Sequence, residues 1–406
     1  MTILDANPET GLAETAADAR TLKERAVGLA DLITAHANET EQNRRVAEPV
    51  IEALTEAGLF RLAQPKRLGG NEVSVRDFVE INSLIARADG ATGWVTTLIN
   101  VCAWMTGTFP ERAQNDVWGD NPDARVCGVL TPTATASFED GGLRITGSWG
   151  FASGSLHSQW ALVGLPIVDD QGAQIDQGLA LVPMTDLTID DTWYVAGMRG
   201  TGSNTLVATD VFVPDHRIIS ISKAIEGDYG TEHTEEVLYR SAFVSTLSIV
   251  LAGAMTGMAR GALDYVLGSL AKGKGIAYTF YDNSINAGST QISMAEAAEL
   301  VDTAMLHMAR CADNIDQAAR DGVYLTLLER GRARMDTGYI ARRTREAVDL
   351  LMSVQGAGGF AEVSPLQRYW RDLNTASRHA VVSPGISSET YGRVLLGVKE
   401  QITPLI

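Results

Sequence analysis

The order of hydrophobic periodicities along the chain limits the folds open to it. Residues 17–124 repeat apolar side chains every three or four positions, as amphipathic helices do. Between residues 125 and 230, Gly, Thr and Val become dense, and alternating runs such as Leu143–Ile145 and Trp160–Val163 indicate strands. Long helical patterns return over residues 231–406. This order predicts an α+β chain with an N-terminal helical domain, a central β-barrel or sandwich, and a C-terminal four-helix bundle.

The 406 residues are enough for two or three domains, and their charge restricts the partners. There are 33 Lys and Arg against 50 Asp and Glu, a formal net charge of −17. Such a charge repels phosphate backbones and anionic membranes, so we expect neither nucleic acid nor a membrane as a partner. Residues 1–16 contain no Lys or Arg and no apolar core, which predicts a flexible acidic tail rather than a secretory signal.

One uncharged stretch, Ser241–Ala259, has the length of a membrane span. Four Ser or Thr lie within its first eight residues and it has no Trp or Tyr, so a helix buried in protein is the better interpretation. Gly253, Gly257 and Gly261 lie on one face of this helix and would allow close approach of a second helix, within the chain or in another subunit.

Common motifs for metals and nucleotides are missing from the sequence. The three cysteines are far apart and the six histidines have no ligand spacing, so we expect no metal and a reducing, cytoplasmic location. There is no GxSxG elbow, no Walker loop and no GxGxxG after a strand. Arginines 330–345 are interleaved with acids, which favours a solvated or subunit-facing helix surface.

Three segments have compositions that are unusual for a hydrophobic core. Ile145–His157 concentrates aromatic rings, hydroxyls and glycines, which suit a flat heteroaromatic ligand. Gly197–Ser203 combines small residues with the fixed charge of Arg199. The third segment is Arg368–Asp372, followed by His379; a lone histidine there is by default a structural one.

In this order and spacing the segments resemble the acyl-CoA dehydrogenase fold, over about residues 20–397. The resemblance extends to Arg61–Pro65 and to Asp89–Trp94. It implies that Phe151 packs on a flavin isoalloxazine and that the Ser153 hydroxyl or amide reaches flavin N5. It also implies a cofactor-binding role for the Gly197–Ser203 segment, through Arg199, Thr201 and Ser203, although the last two can simply complete a turn.

The sequence departs from the dehydrogenases at the position of their catalytic glutamate. Ala380 stands there, beside His379, and cannot remove a proton next to a thioester. The pattern from Phe151 to His157, then Gly197–Ser203, then Arg371-Asp372 and His379, is instead similar to the oxygenase components of two-component, reduced-flavin-dependent monooxygenases of the 4-hydroxyphenylacetate 3-hydroxylase type.

That resemblance implies reduced flavin, FMNH2 or FADH2, from a separate reductase, and O2 as co-substrate. Through a C4a-hydroperoxyflavin, such an enzyme hydroxylates a small aromatic or polycyclic molecule. His379 would lie near the reacting oxygen as a side chain titrating near neutrality. Asn100, Trp104 and His157 are expected at the substrate, with core packing as the alternative for Trp104 and a turn as the alternative for His157.

Other interpretations remain open at this point. They are an acyl-CoA dehydrogenase or oxidase, an N- or S-oxygenase on the same fold, and a non-catalytic helical scaffold. The resemblance further implies a homotetramer. A phosphate-bearing cofactor in so acidic a chain also predicts an uneven charge, with Arg199 turned inward and the acids outward.

Overall fold

Helices lie before and after the strands, as the periodicity predicts. The structure, a computed structural model, describes residues 17–406, so the predicted tail 1–16 lies outside the described residues. Asp18, Ser74 and Asp89 cap helices through their side chains, which satisfies backbone N–H groups of the first turn. The N-terminal helices are α1 (Ala19–Gly28), α2 (Ala30–Asn43), α3 (Glu48–Glu56), α4 (Val75–Ala88), α5 (Gly90–Gly107) and α6 (Glu111–Trp118).

The strands form two four-stranded sheets that pack face to face. One sheet has the order β1-β4-β5-β8, with β1 parallel to β4, and the other is the antiparallel sheet β2-β3-β7-β6. Trp149, Ile145 and Val163 are buried in the layer between them. The strands are β1 (Val126–Val129), β2 (Thr135–Glu139), β3 (Gly142–Ala152), β4 (Trp160–Val168), β5 (Gln174–Pro183), β6 (Thr188–Asp190), β7 (Asn204–Pro214) and β8 (Ile218–Ser220).

Long helices make up most of the chain after β8. α8, α9 and α10 pack on one another, α12 packs on α10, and α11 packs on α8 and α10. Their apolar faces join those of α4 and α5 in one core. The helices are α7 (Ile221–Ile225), α8 (Phe243–Leu270), α9 (Gly288–Asp321), α10 (Leu327–Gln355), α11 (Pro365–Ala376) and α12 (Pro384–Leu395).

The uncharged stretch lies in α8, and its prediction as a buried helix is confirmed. Among residues 17–406, α8 is the one helix that is long and apolar enough to cross a membrane, but 89% of its apolar 18-residue stretch is buried inside the fold. The glycine face packs against α4 of the same chain. A Cβ on Gly253, Gly257 or Gly261 would collide with the backbone oxygen of Val79, Ser83 or Arg87, respectively. The stripe therefore serves packing within the chain, not a subunit contact.

The arginine run of α10 is only partly a solvated surface, and that prediction was wrong for two members. Arg330 is 9% exposed and donates to the backbone oxygens of Ile225 and Ile406. Arg334 is 2% exposed and donates to the carbonyl oxygen of Val381, two residues after His379. These two arginines hold chain segments against α10 through backbone oxygens.

Candidate active site

A bulge in β3 turns Phe151 out of its sheet. Trp149 pairs with Leu206 and Ala152 with Asn204, so β3 contains one more residue than β7 over this interval. Phe151 has φ of 67°, a rare conformation for an aromatic residue, and its side chain is 75% exposed. Its ring meets Trp193 edge-on, with 5.6 Å between centroids. The strained turn therefore presents an aromatic face to solvent, as a flat ligand requires.

The two glycine-rich segments meet through hydroxyl groups. The Oγ atoms of Ser153 and Ser203 are 2.7 Å apart, and Ser203 Oγ is 2.6 Å from Thr201 Oγ1. The amide of Gly154 donates to the Thr201 carbonyl oxygen at 3.2 Å. The structure thus brings together Ser153, Thr201 and Ser203, three of the predicted cofactor residues.

Helix α11 fixes the start of the second segment. The Met198 amide donates to Asp372 Oδ1 at 2.5 Å, and Met198 has a left-handed φ of 60°. Burial, and then the nearby charge of Asp89, raise the pKa of Asp372 to about 7. Asp89 and Asp372 are 1% and 2% exposed, so the prediction that the acids point outward is wrong here. Arg368 lies 3.7 Å from Asp89 and offsets part of this buried charge.

Arg199 supplies the positive charge that the acidic chain needs at this place. Its Nε atom is buried and has no hydrogen-bond partner among residues 17–406. Its Nη1 atom makes a long hydrogen bond, 3.5 Å, to the Val195 carbonyl oxygen. Across those residues no carboxylate lies within ion-pair distance of Arg199. A guanidinium without an ion-pair partner, in the same segment as Thr201 and Ser203, fits an anionic group such as reduced flavin or a flavin phosphate.

His379 contacts the same helix, α5, as the Phe151–Gly154 turn. Its ring meets Trp94 edge-on at 5.9 Å, while Gly154 packs against Val95 and Ile99 of the same helix. The amide of Val381 points at His379 Nδ1, at 3.3 Å, so the neutral ring carries its proton on Nε2. His379 and the Phe151–Gly154 turn thus pack on the same stretch of α5, residues 94–99.

His379 is exposed to solvent. Desolvation by the neighbouring protein, and then the charge of Arg334, lower the pKa of His379 to about 4. The expectation of titration near neutrality is therefore wrong. At pH 7 the ring is neutral, a weak base, and a hydrogen-bond donor through Nε2.

The three predicted substrate residues lie inside the protein. Asn100 is fully buried, accepts from the Leu62 amide at 2.8 Å, and donates to backbone oxygens of Leu59 and Thr96. Trp104 is fully buried and donates through Nε1 to the Leu238 carbonyl oxygen at 3.1 Å. Neither side chain reaches the surface, so the structure gives both a packing role in place of the predicted substrate contact.

His157 ends a 3-10 turn, Ser155–His157, and is 5% exposed. Burial, and then the charges of Arg45 and Arg125, lower its pKa to about 3. Its Nε2 atom has no hydrogen-bond partner among the residues that the structure describes. The turn interpretation fits this position, because the side chain is buried and does not reach the surface.

Sequence reasoning missed Trp193 and the cluster that supports it. The Trp193 indole packs on Phe151 and donates through Nε1 to the Met198 carbonyl oxygen at 2.9 Å. Arg44 pairs with both oxygens of Asp191, at 2.5 and 2.8 Å, and its guanidinium lies 4.0 Å from the Tyr194 ring centre. The aromatic residues Trp193 and Tyr194, just before Gly197–Ser203, could have indicated a ring-binding site. Nothing in the sequence indicates the contact with Arg44, which is about 150 residues away.

Comparison with known proteins identifies the family of the chain. Residues 17–119 match the family model of the acyl-CoA dehydrogenase N-terminal domain, and residues 249–384 match that of the C-terminal domain. The oxygenase component of the FADH2-dependent resorcinol hydroxylase of Rhizobium sp. (strain MTP-10005) is 34% identical over 386 residues, covering 92% of this chain and 94% of that protein.

Two solved structures superpose closely on the chain. XiaF from Streptomyces sp., in complex with FADH2 and glycerol, has a TM-score of 0.90 and 34% identity, covering 95% of this chain and 97% of XiaF. The 3-HSA hydroxylase from Rhodococcus sp. RHA1 has a TM-score of 0.91 and 32% identity, covering 95% and 99%. The fold is thus that of the acyl-CoA dehydrogenases. Within it, the chain belongs to the family of flavin-dependent monooxygenase oxygenase components.

Proposed function

We propose that this chain takes reduced flavin from a separate reductase and uses O2 to hydroxylate a small aromatic molecule. The observation that carries the proposal is the placement of the candidate site around α5, where the Phe151–Gly154 turn packs on Val95 and Ile99 and His379 packs on Trp94. The turn offers an exposed ring, its neighbouring segment an unpaired arginine, and the histidine a neutral imidazole with a free N–H donor. Reduced flavin, when bound, supplies two electrons to O2, so that one oxygen atom enters the aromatic ring and the other leaves as water.

Each residue has a task that its contacts support. Phe151 and Trp193 give a face on which a flat ring can stack. Arg199 balances the negative charge of the cofactor. His379 donates through Nε2 to an oxygen of the substrate or of the reacting group, since its Nδ1 atom is already occupied. Trp94 and the other buried apolar side chains of α5 would exclude water where His379 contacts this helix.

The flavin-reducing alternative lacks its base. Ala380 follows His379, and α8 has no Asp or Glu between Phe243 and Ala259. A dehydrogenase needs a carboxylate aimed at the carbon next to the thioester.

We favour FADH2 over FMNH2 because the resorcinol hydroxylase and the XiaF complex are both described with FADH2.

The direct test supplies photoreduced FAD anaerobically, without any reductase, and then admits 18O2 together with a panel of phenols. The expected product is heavier by one 18O atom, detected by mass spectrometry. Oxidised FAD with O2 is the matched control and should give no product. If no phenol gains oxygen and an acyl-CoA instead bleaches the oxidised flavin bound to the chain, the dehydrogenase interpretation replaces this one.

We also infer that the chain assembles as a homotetramer. Tyr278 and Phe280, on the connection between α8 and α9, project entirely into solvent. Large aromatic side chains exposed together usually mark a protein contact. Lys272 and Lys274 precede them and suit the acidic surface of a second copy of this chain.

A further inference from the structure

Ser153 begins a chain of buried hydroxyls that ends at a carbonyl group. From Ser153 Oγ the chain passes to Ser203 Oγ and then to Thr201 Oγ1, in steps of 2.7 and 2.6 Å. Thr201 Oγ1 lies 2.9 Å from the Met198 carbonyl oxygen. The three hydroxyl-bearing residues are between 2% and 6% exposed, so water does not compete for these bonds.

The terminal carbonyl favours one direction for the hydrogen bonds in this chain. A carbonyl oxygen can only accept, so this last bond forms when Thr201 donates its single hydroxyl proton to Met198. Ser203 then has to donate to Thr201, and Ser153 to Ser203. The proton of Ser153 is thereby used inside the protein, and its oxygen has a lone pair left for a ligand.

The opposite direction is available only at a cost. If Ser153 donates to a ligand, then Ser203 must donate to Ser153 and Thr201 to Ser203, and the Thr201–Met198 hydrogen bond is lost. The Met198 carbonyl is held where it can accept from Thr201, since Trp193 Nε1 donates to the same oxygen at 2.9 Å and Asp372 accepts from the Met198 amide. The resting direction therefore makes Ser153 an acceptor.

We propose that Thr201 and Ser203 are positioning residues that keep Ser153 Oγ a hydrogen-bond acceptor and so make the site select reduced over oxidised flavin. Reduced flavin has an N–H group at N5, whereas oxidised flavin has a bare nitrogen there that can only accept. The inference rests on the proposed function, because it takes flavin as the ligand of this site. It explains how an enzyme supplied by a separate reductase avoids being filled by the oxidised cofactor.

The test measures two dissociation constants, for oxidised FAD in air and for photoreduced FAD under argon. The quantity of interest is their ratio, Kd(oxidised) over Kd(reduced). Thr201→Val keeps the shape of the side chain without the hydroxyl, and Ser203→Ala interrupts the chain. Each should lower the ratio by about three- to tenfold, the range expected for one neutral hydrogen bond. The midpoint potential of bound flavin should fall by about 30 mV for each tenfold loss.

Controls separate positioning from a general structural effect. Thr201→Ser restores the hydroxyl and should keep the wild-type ratio, and Ser153→Ala should lose the preference because it removes the acceptor itself. A ratio that stays at the wild-type value in Ser203→Ala or Ser153→Ala overturns the inference, whether or not Thr201→Val folds. A wild-type chain that binds both redox states equally also overturns it, whereas binding of neither state contradicts the proposed function instead.

Discussion

At His379 the local hydrogen bonds decide the chemistry more than the residue type does. The Val381 amide occupies Nδ1, and a pKa of about 4 keeps the ring neutral at pH 7. The side chain therefore offers one donor, Nε2–H, and little basicity. His379→Ala should lower the product formed per reduced flavin about tenfold, as expected for the loss of one hydrogen bond, with flavin affinity nearly unchanged. His379→Gln, which can still donate, should lose less.

The pH profile of the same product yield separates a donor from a base. Because His379 takes up a proton only well below neutrality, wild type and His379→Gln should have profiles of the same shape between pH 5.5 and 8. An inflection near pH 6.5 in the wild type that disappears in His379→Gln would show that the ring titrates during turnover, and the donor role would be wrong.

Helices α4 and α8 approach so closely that adding a single methyl group between them should lower the free energy of unfolding. A Cβ on Gly257 would collide with the Ser83 carbonyl oxygen, and both elements are buried, so the backbones must separate to admit it. Gly257→Ala should therefore destabilise the fold by about 1–3 kcal/mol, measured by urea unfolding.

Gly268 provides the matched control on the same helix. It is exposed, and a Cβ there meets no atom within 4 Å. Gly268→Ala should be neutral or stabilise by about 0.5–1 kcal/mol, because alanine is the better helix former. If the two variants unfold alike, close packing on α4 is not the reason for the glycine at position 257.

These elements also show what can be predicted from sequence and what cannot. Periodicity was sufficient for the order of helices and strands, and for burial of α8, because both depend on local patterns. It identified the glycine face but not its partner, since α4 is about 170 residues away. The bulge that exposes Phe151, and the Asp372 bond that holds Met198, depend on the register between distant segments. Asn100 was misplaced because a buried amide bonded to backbone has the same sequence signature as one facing a ligand.

In the whole molecule, the exposed aromatic arm between α8 and α9 should control assembly. Wild-type chain is expected at about four times the monomer mass by light scattering, and Tyr278→Ala with Phe280→Ala should give smaller species. Phe138→Ala, on the edge strand β2 and 52% exposed, is the control and should leave the mass unchanged. A monomeric wild type at micromolar concentration contradicts the proposed tetramer.

Two buried groups give the molecule opposing responses to acid. The pKa of His157 is about 3 in the fold and near 6.5 when exposed, so below pH 6.5 the unfolded chain gains a proton that the folded chain does not, and stability falls. The pKa of Asp372 is about 7 in the fold and near 3.8 when exposed. Between those values the folded chain alone takes up the proton, so acidification stabilises it, and the two effects partly cancel.

Neutral replacements should separate the two contributions. His157→Gln removes a penalty that reaches about 2 kcal/mol at pH 5, so its melting temperature relative to wild type should rise as pH falls from 8 to 5. Asp372→Asn can still accept from the Met198 amide but carries no charge, so its advantage over wild type should be largest at pH 8 and shrink at pH 5. Melting curves at both pH values decide the matter. Difference curves that change in the same direction for both variants would mean that these groups do not set the acid response.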